Sequence, residues 1–147
     1  MDTAIHRRVA ACRAGSDPTA IARLGAGWAV MGDPQVIEGY CLLLPDPVVP
    51  HLNALTEPGQ GAFLADMARL GQAVLELTGA LRINYAMFGN LEPALHAHVF
   101  PRHADEPEAL RTVHPWAWDW ATARPFDAER DGALLAALRR RLGQRRY

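Results

Sequence analysis

A chain of 147 residues, 50% hydrophobic and 21% charged, is long enough to bury one core unaided, and one domain spanning 1–147 is expected. Its formal net charge of −1 argues against bulk electrostatic binding to nucleic acid or an anionic membrane. All fifteen basic residues are arginine and Ser16 is the one serine, which excludes a Walker-type or Schiff-base lysine and argues against a serine nucleophile.

In chain order, Asp2 is placed to cap a first helix in which Ile5, Val9 and Cys12 recur at helical spacing. The turn-like "AGSDP" ends it. "AIARL" and "GWAVMG" are rich in strand formers, and "DPQ" reads as a turn. "VIEGYCLLLP" reads as one long strand whose continuous apolar run predicts burial on both faces. A helix is predicted from Pro58 to Thr78, with Phe63, Met67, Leu70, Val74 and Leu77 on one stripe and Gly79 at its stop. "LRINYAMF" and "ALHAHVFP" follow as strands joined by a turn near "GNLEP". In "HPWAWDW" the alternating Trp116, Trp118 and Trp120 would share one face of an extended segment and are read as core anchors. A last helix is predicted from Asp127 to near Gly143, with Leu134, Leu138 and Leu142 on one face. Its Arg139, Arg140 and Arg141 suit the negative end of the helix dipole.

Strands joined by short turns, with a helix laid across them, indicate an α+β domain with a mainly antiparallel sheet. The start "MDTAIHRRVAACRAG" has no apolar signal core, and runs such as "YCLLLP" are too short to span a bilayer. A cytoplasmic protein is expected, with Cys12 and Cys41 as reduced thiols.

The chemistry centres on "ALHAHVF". If Ala94 to Phe100 is a strand, Ala94, His96, His98 and Phe100 face one side, and Leu95, Ala97 and Val99 face the other. Side chains two apart on a strand lie about 7 Å from one another, so both imidazoles can reach one small anion. Three readings fit these residues. The pair is structural on a half-exposed sheet face; or it ligates a metal with His103 or His114 as a third ligand; or it performs phosphoryl or nucleotidyl chemistry, for which neutral imidazole is a competent nucleophile.

"NYAMFGNLEPALHAHVFPRH" resembles the signature of the histidine triad family of nucleotide hydrolases and transferases. That signature is an alternating His-φ-His-φ-His-φ-φ (φ apolar), often after Gly-Asn and before Pro-Arg. Gly89-Asn90 and Pro101-Arg102 stand in those places, and "GWAVMGDPQVIEGYCLLLP" is similar to the family's paired upstream strands. The resemblance runs from Ile21 to His103. It implies a sheet of about five strands with a helix across it and terminal helices. It also implies a homodimer acting on a small-molecule nucleotide without a cofactor or resident metal.

The resemblance places His96 on the nucleophile that attacks the α-phosphorus, and His98 on the histidine that contacts phosphate and leaving group. Asn84 and Asn90 fall on phosphate-side polar positions, and Asp33 near a ribose-binding one. For the asparagines and Asp33 a turn role competes. Ala94 replaces the first histidine, and Tyr40 replaces the histidine of a Gly-His segment. A tyrosine hydroxyl can hydrogen-bond there but cannot become a cation near pH 7. An amine leaving group must be protonated as it departs, whereas a phosphate leaves as a stabilised anion. A dinucleoside polyphosphate or related phosphoanhydride is therefore the expected substrate. A nucleotide-binding protein with weak or no catalysis is the alternative. His51, in "VVPHLNAL", is read as a surface residue.

Overall fold

The computed structural model describes residues 2–143. A first helix, α1 (Ala4–Ala14), is capped by Thr3, whose side chain accepts from the His6 backbone while the His6 ring accepts from the Thr3 N–H. Asp2, the expected cap, pairs with Arg7 at the surface instead. The reciprocal Thr3–His6 box satisfies two orphan groups at once, which a carboxylate one residue earlier cannot do.

Five strands follow: β1 (Ala20–Arg23), β2 (Gly27–Met31), β3 (Cys41–Pro45), β4 (Arg82–Ala86) and β5 (Ala97–Arg102). They form one sheet in the order β1-β2-β3-β5-β4, with every pairing antiparallel. Between β3 and β4 runs α2 (Glu57–Thr78), ended by Gly79 in the left-handed conformation; α3 (Gly132–Leu142) closes the chain. No helix among the described residues is long and apolar enough to cross a membrane. The α+β class and antiparallel sheet are those the sequence predicts.

β3 is buried at all its positions because the sheet is covered on both faces. On one side Phe63, Leu70 and Val74 of α2 and Leu135, Leu138 and Leu142 of α3 pack on Met31, Leu43, Ala97 and Val99. On the other, Ile5, Val9 and Cys12 of α1 pack with Val30, Leu42, Leu44, Ala94 and Phe100, joined by Trp118 and Trp120. The strand period of two is thus read out as two separate cores.

Several predicted boundaries shift. "VIEGYCLLLP" is strand only from Cys41. Upstream, Gly39 sits at φ 92°, a left-handed conformation that ends extension. The buried Gln35 holds this loop, donating to the Gly32 and Tyr40 carbonyls and accepting from the Gly39 N–H. β5 begins at Ala97 rather than Ala94, because the Leu95 N–H is taken by the Val49 carbonyl outside the sheet. The last helix starts at Gly132, not Asp127; Asp127 instead accepts from Glu129 and Arg130 in a turn. The tryptophan segment is a short 3-10 turn (Pro115–Ala117) and irregular chain, so its three rings do not share one strand face.

Candidate active site

The alternation predicted for 94–100 survives although the strand is shorter. Ala94 and Phe100 lie in the core beneath α1, and Leu95, Ala97 and Val99 in the core beneath α2. His96 and His98 follow the first set, their ring centroids 4.9 Å apart and the rings edge to face. Both are buried, at 8% and 5% exposure. His98 is fixed by the sheet, paired with Leu42 on one side and Ala86 on the other.

Each ring is oriented through Nδ1. His96 Nδ1 lies 2.7 Å from the Ala94 carbonyl oxygen. A carbonyl only accepts, so Nδ1 carries the proton and the lone pair belongs to Nε2. His98 Nδ1 lies 2.6 Å from the Tyr40 hydroxyl. Tyr40 stacks on Phe100 at 4.7 Å, and Phe100 stacks on His98 at 5.4 Å. A Cβ on Gly32 would lie 2.1 Å from the Tyr40 ring, so the residue at position 32 must be glycine for the ring to lie there. Burial raises the Tyr40 pKa, and the phenol stays protonated. His98 Nε2 is buried and makes no hydrogen bond within the described residues.

Tyr40→Phe keeps the ring stack and removes the partner of a buried Nδ1. The expected cost is about 1–2 kcal/mol, read by urea denaturation. A loss near zero would show that the hydroxyl contributes nothing to holding His98.

Burial first, and the neighbouring His96 second, lower the His98 pKa from 6.5 to about 4. The folded value lies below the unfolded one, so the unfolded chain takes up the proton first as pH falls. Stability from this group is complete above about pH 6.5 and is lost as pH falls toward 4, by on the order of 3 kcal/mol. Urea midpoints at pH 7 and 4.5 measure it. His98→Gln should flatten that dependence, and an unchanged acid limb would assign it elsewhere.

Phe88 and Trp116 lie against His98. Their rings lie 4.6 Å apart, and they lie 6.3 and 5.1 Å from the His98 ring respectively. Trp120 meets His98 edge-on, while Trp118 packs on Phe100 and under the Arg102 guanidinium. Phe88 ends the "NYAMF" run and Trp116 opens the tryptophan alternation. Trp116 stood out in the sequence as part of that alternation and Phe88 did not, and no local pattern could join either to His98.

The remaining site residues are more dispersed. Asn84, on β4, opposes Phe100 across the sheet, and its Oδ1 accepts from Arg102. Asp33 accepts from the Phe126 N–H, tying the loop after β2 to the segment before α3. Asn90 is exposed in the β4–β5 connection. Thus Tyr40, His96 and His98 are brought together directly, whereas Asp33 and Asn84 hydrogen-bond to Phe126 and Arg102 instead.

The metal reading lacks its third ligand: among the described residues, no three His, Cys, Asp or Glu side chains converge. His103 Nε2 instead donates to the Glu38 carbonyl at 2.8 Å. His51 is exposed.

No family model matches this sequence, and neither does any curated protein. Solved structures do. A histidine triad protein from Bradyrhizobium japonicum is 26% identical, with a TM-score of 0.73, covering 88% of this chain and 94% of its own. A histidine triad protein from Marinobacter aquaeolei VT8 is 21% identical, with a TM-score of 0.74 and 97% of both chains covered. A hypothetical histidine triad nucleotide-binding protein from Sulfolobus tokodaii strain 7 is 12% identical, with a TM-score of 0.72 over 93% of this chain and 91% of that one. The resemblance read from "ALHAHVFPR" is therefore matched at the level of the fold: this five-stranded α+β chain is similar in structure to histidine triad proteins.

Proposed function

We propose that this chain is a cytoplasmic nucleotidyl hydrolase that cleaves a dinucleoside polyphosphate, or a related nucleotide phosphoanhydride, at the α-phosphorus. The observation that carries this reading is the 2.7 Å contact of His96 Nδ1 with the Ala94 carbonyl. It leaves the Nε2 lone pair as the nucleophile without calling on the missing first histidine, because the backbone oxygen orients the ring whatever side chain stands at position 94.

In the first step the Nε2 lone pair forms a P–N bond while the bond from phosphorus to the bridging oxygen breaks. The leaving nucleotide departs as an anion with that electron pair. Water then adds to phosphorus as the P–N bond breaks with its electron pair returning to Nε2; one water proton passes to solvent, a nucleoside monophosphate is released and His96 is again neutral. With the Tyr40 hydroxyl donating to Nδ1, neutral His98 carries its proton on Nε2. It acts there as a hydrogen-bond donor to phosphate or leaving oxygen, and meets the demand of an otherwise unsatisfied buried atom. A ring held neutral down to about pH 4 is a poor acid for expelling an amine, which favours a phosphoanhydride over a phosphoramidate. Asn84 and Asn90 would contact phosphate, and Asp33 the ribose. A homodimer, with the sheets of two copies paired across a two-fold axis, belongs to the same reading.

A second reading has its own support. The low exposure of both rings suits a nucleotide-binding protein that holds phosphate without turning it over. Incubation with diadenosine tri- and tetraphosphate, with AMP release followed and the His96 peptide examined by mass for a nucleotidyl adduct, decides between them. Turnover with the adduct is expected. Tight binding without turnover would establish the second reading, and absence of both would sink the two together.

A further inference from the structure

The β4 edge and the segment 104–116 enclose a groove of about 960 Å3 on the histidine-bearing face of the sheet. Phe88 and Trp116 line its end nearest His98. Ala86 lies opposite His98 and Arg82 opposite Arg102, so the groove runs outward from the dyad for about 13 Å along the strand. Arg82, Asn84 and Ala86 alternate onto this face with His98 and Phe100, whereas Tyr85 points away, its hydroxyl against Gly71 of α2.

The charge of the groove is unbalanced. Arg82 and Arg111 line it, are exposed, and form no ion pair among the described residues. Glu106 is the one acid among its described lining residues, and it is bound to Arg102 at 2.9 Å. His114 also lines it. Arg111 Nη2 donates to the Ala104 carbonyl at 3.3 Å, yet neither guanidinium is neutralised by a carboxylate among the described residues, and both are suited to phosphate oxygens, which they can bind through paired N–H donors. Phe88 and Trp116, 53% and 46% exposed, leave an aromatic wall where the groove meets the dyad.

We infer that this groove receives the leaving half of the substrate, a nucleoside polyphosphate whose distal phosphates pair with Arg82 and Arg111 while the scissile phosphorus stays at His96. This rests on the nucleotidyl-hydrolase reading and adds where the second nucleotide lies. The aromatic pair separates the half that is bonded to His96 from the half that departs.

The test uses His96→Asn protein, which cannot turn substrate over, and titrates it calorimetrically with diadenosine tetraphosphate and, separately, with AMP. Arg82→Glu combined with Arg111→Glu is expected to weaken the dinucleotide tenfold or more and to leave AMP within twofold. The paired glutamine replacements should give an intermediate loss, with thermal melting confirming that both forms are folded. Dinucleotide affinity unchanged within twofold, or an equal loss for AMP, would overturn the assignment. If neither nucleotide binds before the arginines are touched, the hydrolase reading itself fails and the groove assignment falls with it.

Discussion

Replacing His96 with asparagine lowers kcat for diadenosine polyphosphate cleavage by about a thousandfold or more. Asparagine approximates the reach of the imidazole and retains an N–H for the Ala94 carbonyl, so the site keeps its shape. It has no basic nitrogen with which to form the P–N bond. Nucleotide affinity should therefore change only a few-fold while turnover collapses, the pattern of an interaction made only on the way through the transition state. Quenched-flow measurement should also show no nucleotidyl adduct. A variant that retains more than a tenth of wild-type turnover would place the nucleophile elsewhere and remove His96 from the mechanism. The comparison matters because alanine stands at 94 and tyrosine at 40, where the resemblance to the histidine triad signature implies histidines. In this chain the backbone carbonyl at 94 orients His96, and Tyr40 holds His98.

Replacing Arg102 with methionine destabilises the fold by about 3–5 kcal/mol. The Arg102 side chain is buried and donates to both Glu106 oxygens, to Asn84 Oδ1, and to the carbonyls of Leu110, Arg111 and Val113. It also lies 4.9 Å from the Trp118 ring centroid. Methionine fills part of the space but strands the Glu106 carboxylate, whose side chain is 9% exposed, together with three carbonyls. Urea denaturation measures the loss. Lysine should not restore it, since one ammonium cannot reproduce a planar fork reaching this many acceptors. Adding Glu106→Gln to Arg102→Met should recover part of the loss by removing the unpaired charge. If it recovers nothing, the cost lies in the carbonyls and the packing rather than in the stranded carboxylate. The segment 104–116 should also become protease-sensitive, because this one guanidinium joins it to β4 and β5.

Much of the fold was legible in local pattern. The helical stripe from Phe63 to Leu77, the stop at Gly79, and the buried run of β3 are short-range signals, and periodicity reports them directly. The histidine alternation is of the same kind: a strand's period of two puts His96 and His98 on one face wherever the strand begins. The structure departs from local pattern where a distant group decides the outcome. β5 begins late because Val49 claims the Leu95 N–H, and the strand expected at 36–40 is a loop because Gln35 bonds across it. Trp116, Trp118 and Trp120 alternate in sequence yet do not form a strand, since their positions follow the dyad, Phe100 and Arg102 on which they pack.

By itself the sequence determined the α+β order of elements, the histidine-bearing strand and the absence of a first histidine at 94. Only the tertiary structure decided what orients the two imidazoles and what packs beside them. Tyr40 reaches His98 across 58 residues of chain, through a space that Gly32 leaves open, and Phe88 meets Trp116 over the same ring. The physical reason is that a strand's facing is set by backbone geometry within a few residues. The partner of a buried polar atom is set by whichever distant segments the packed core brings alongside it.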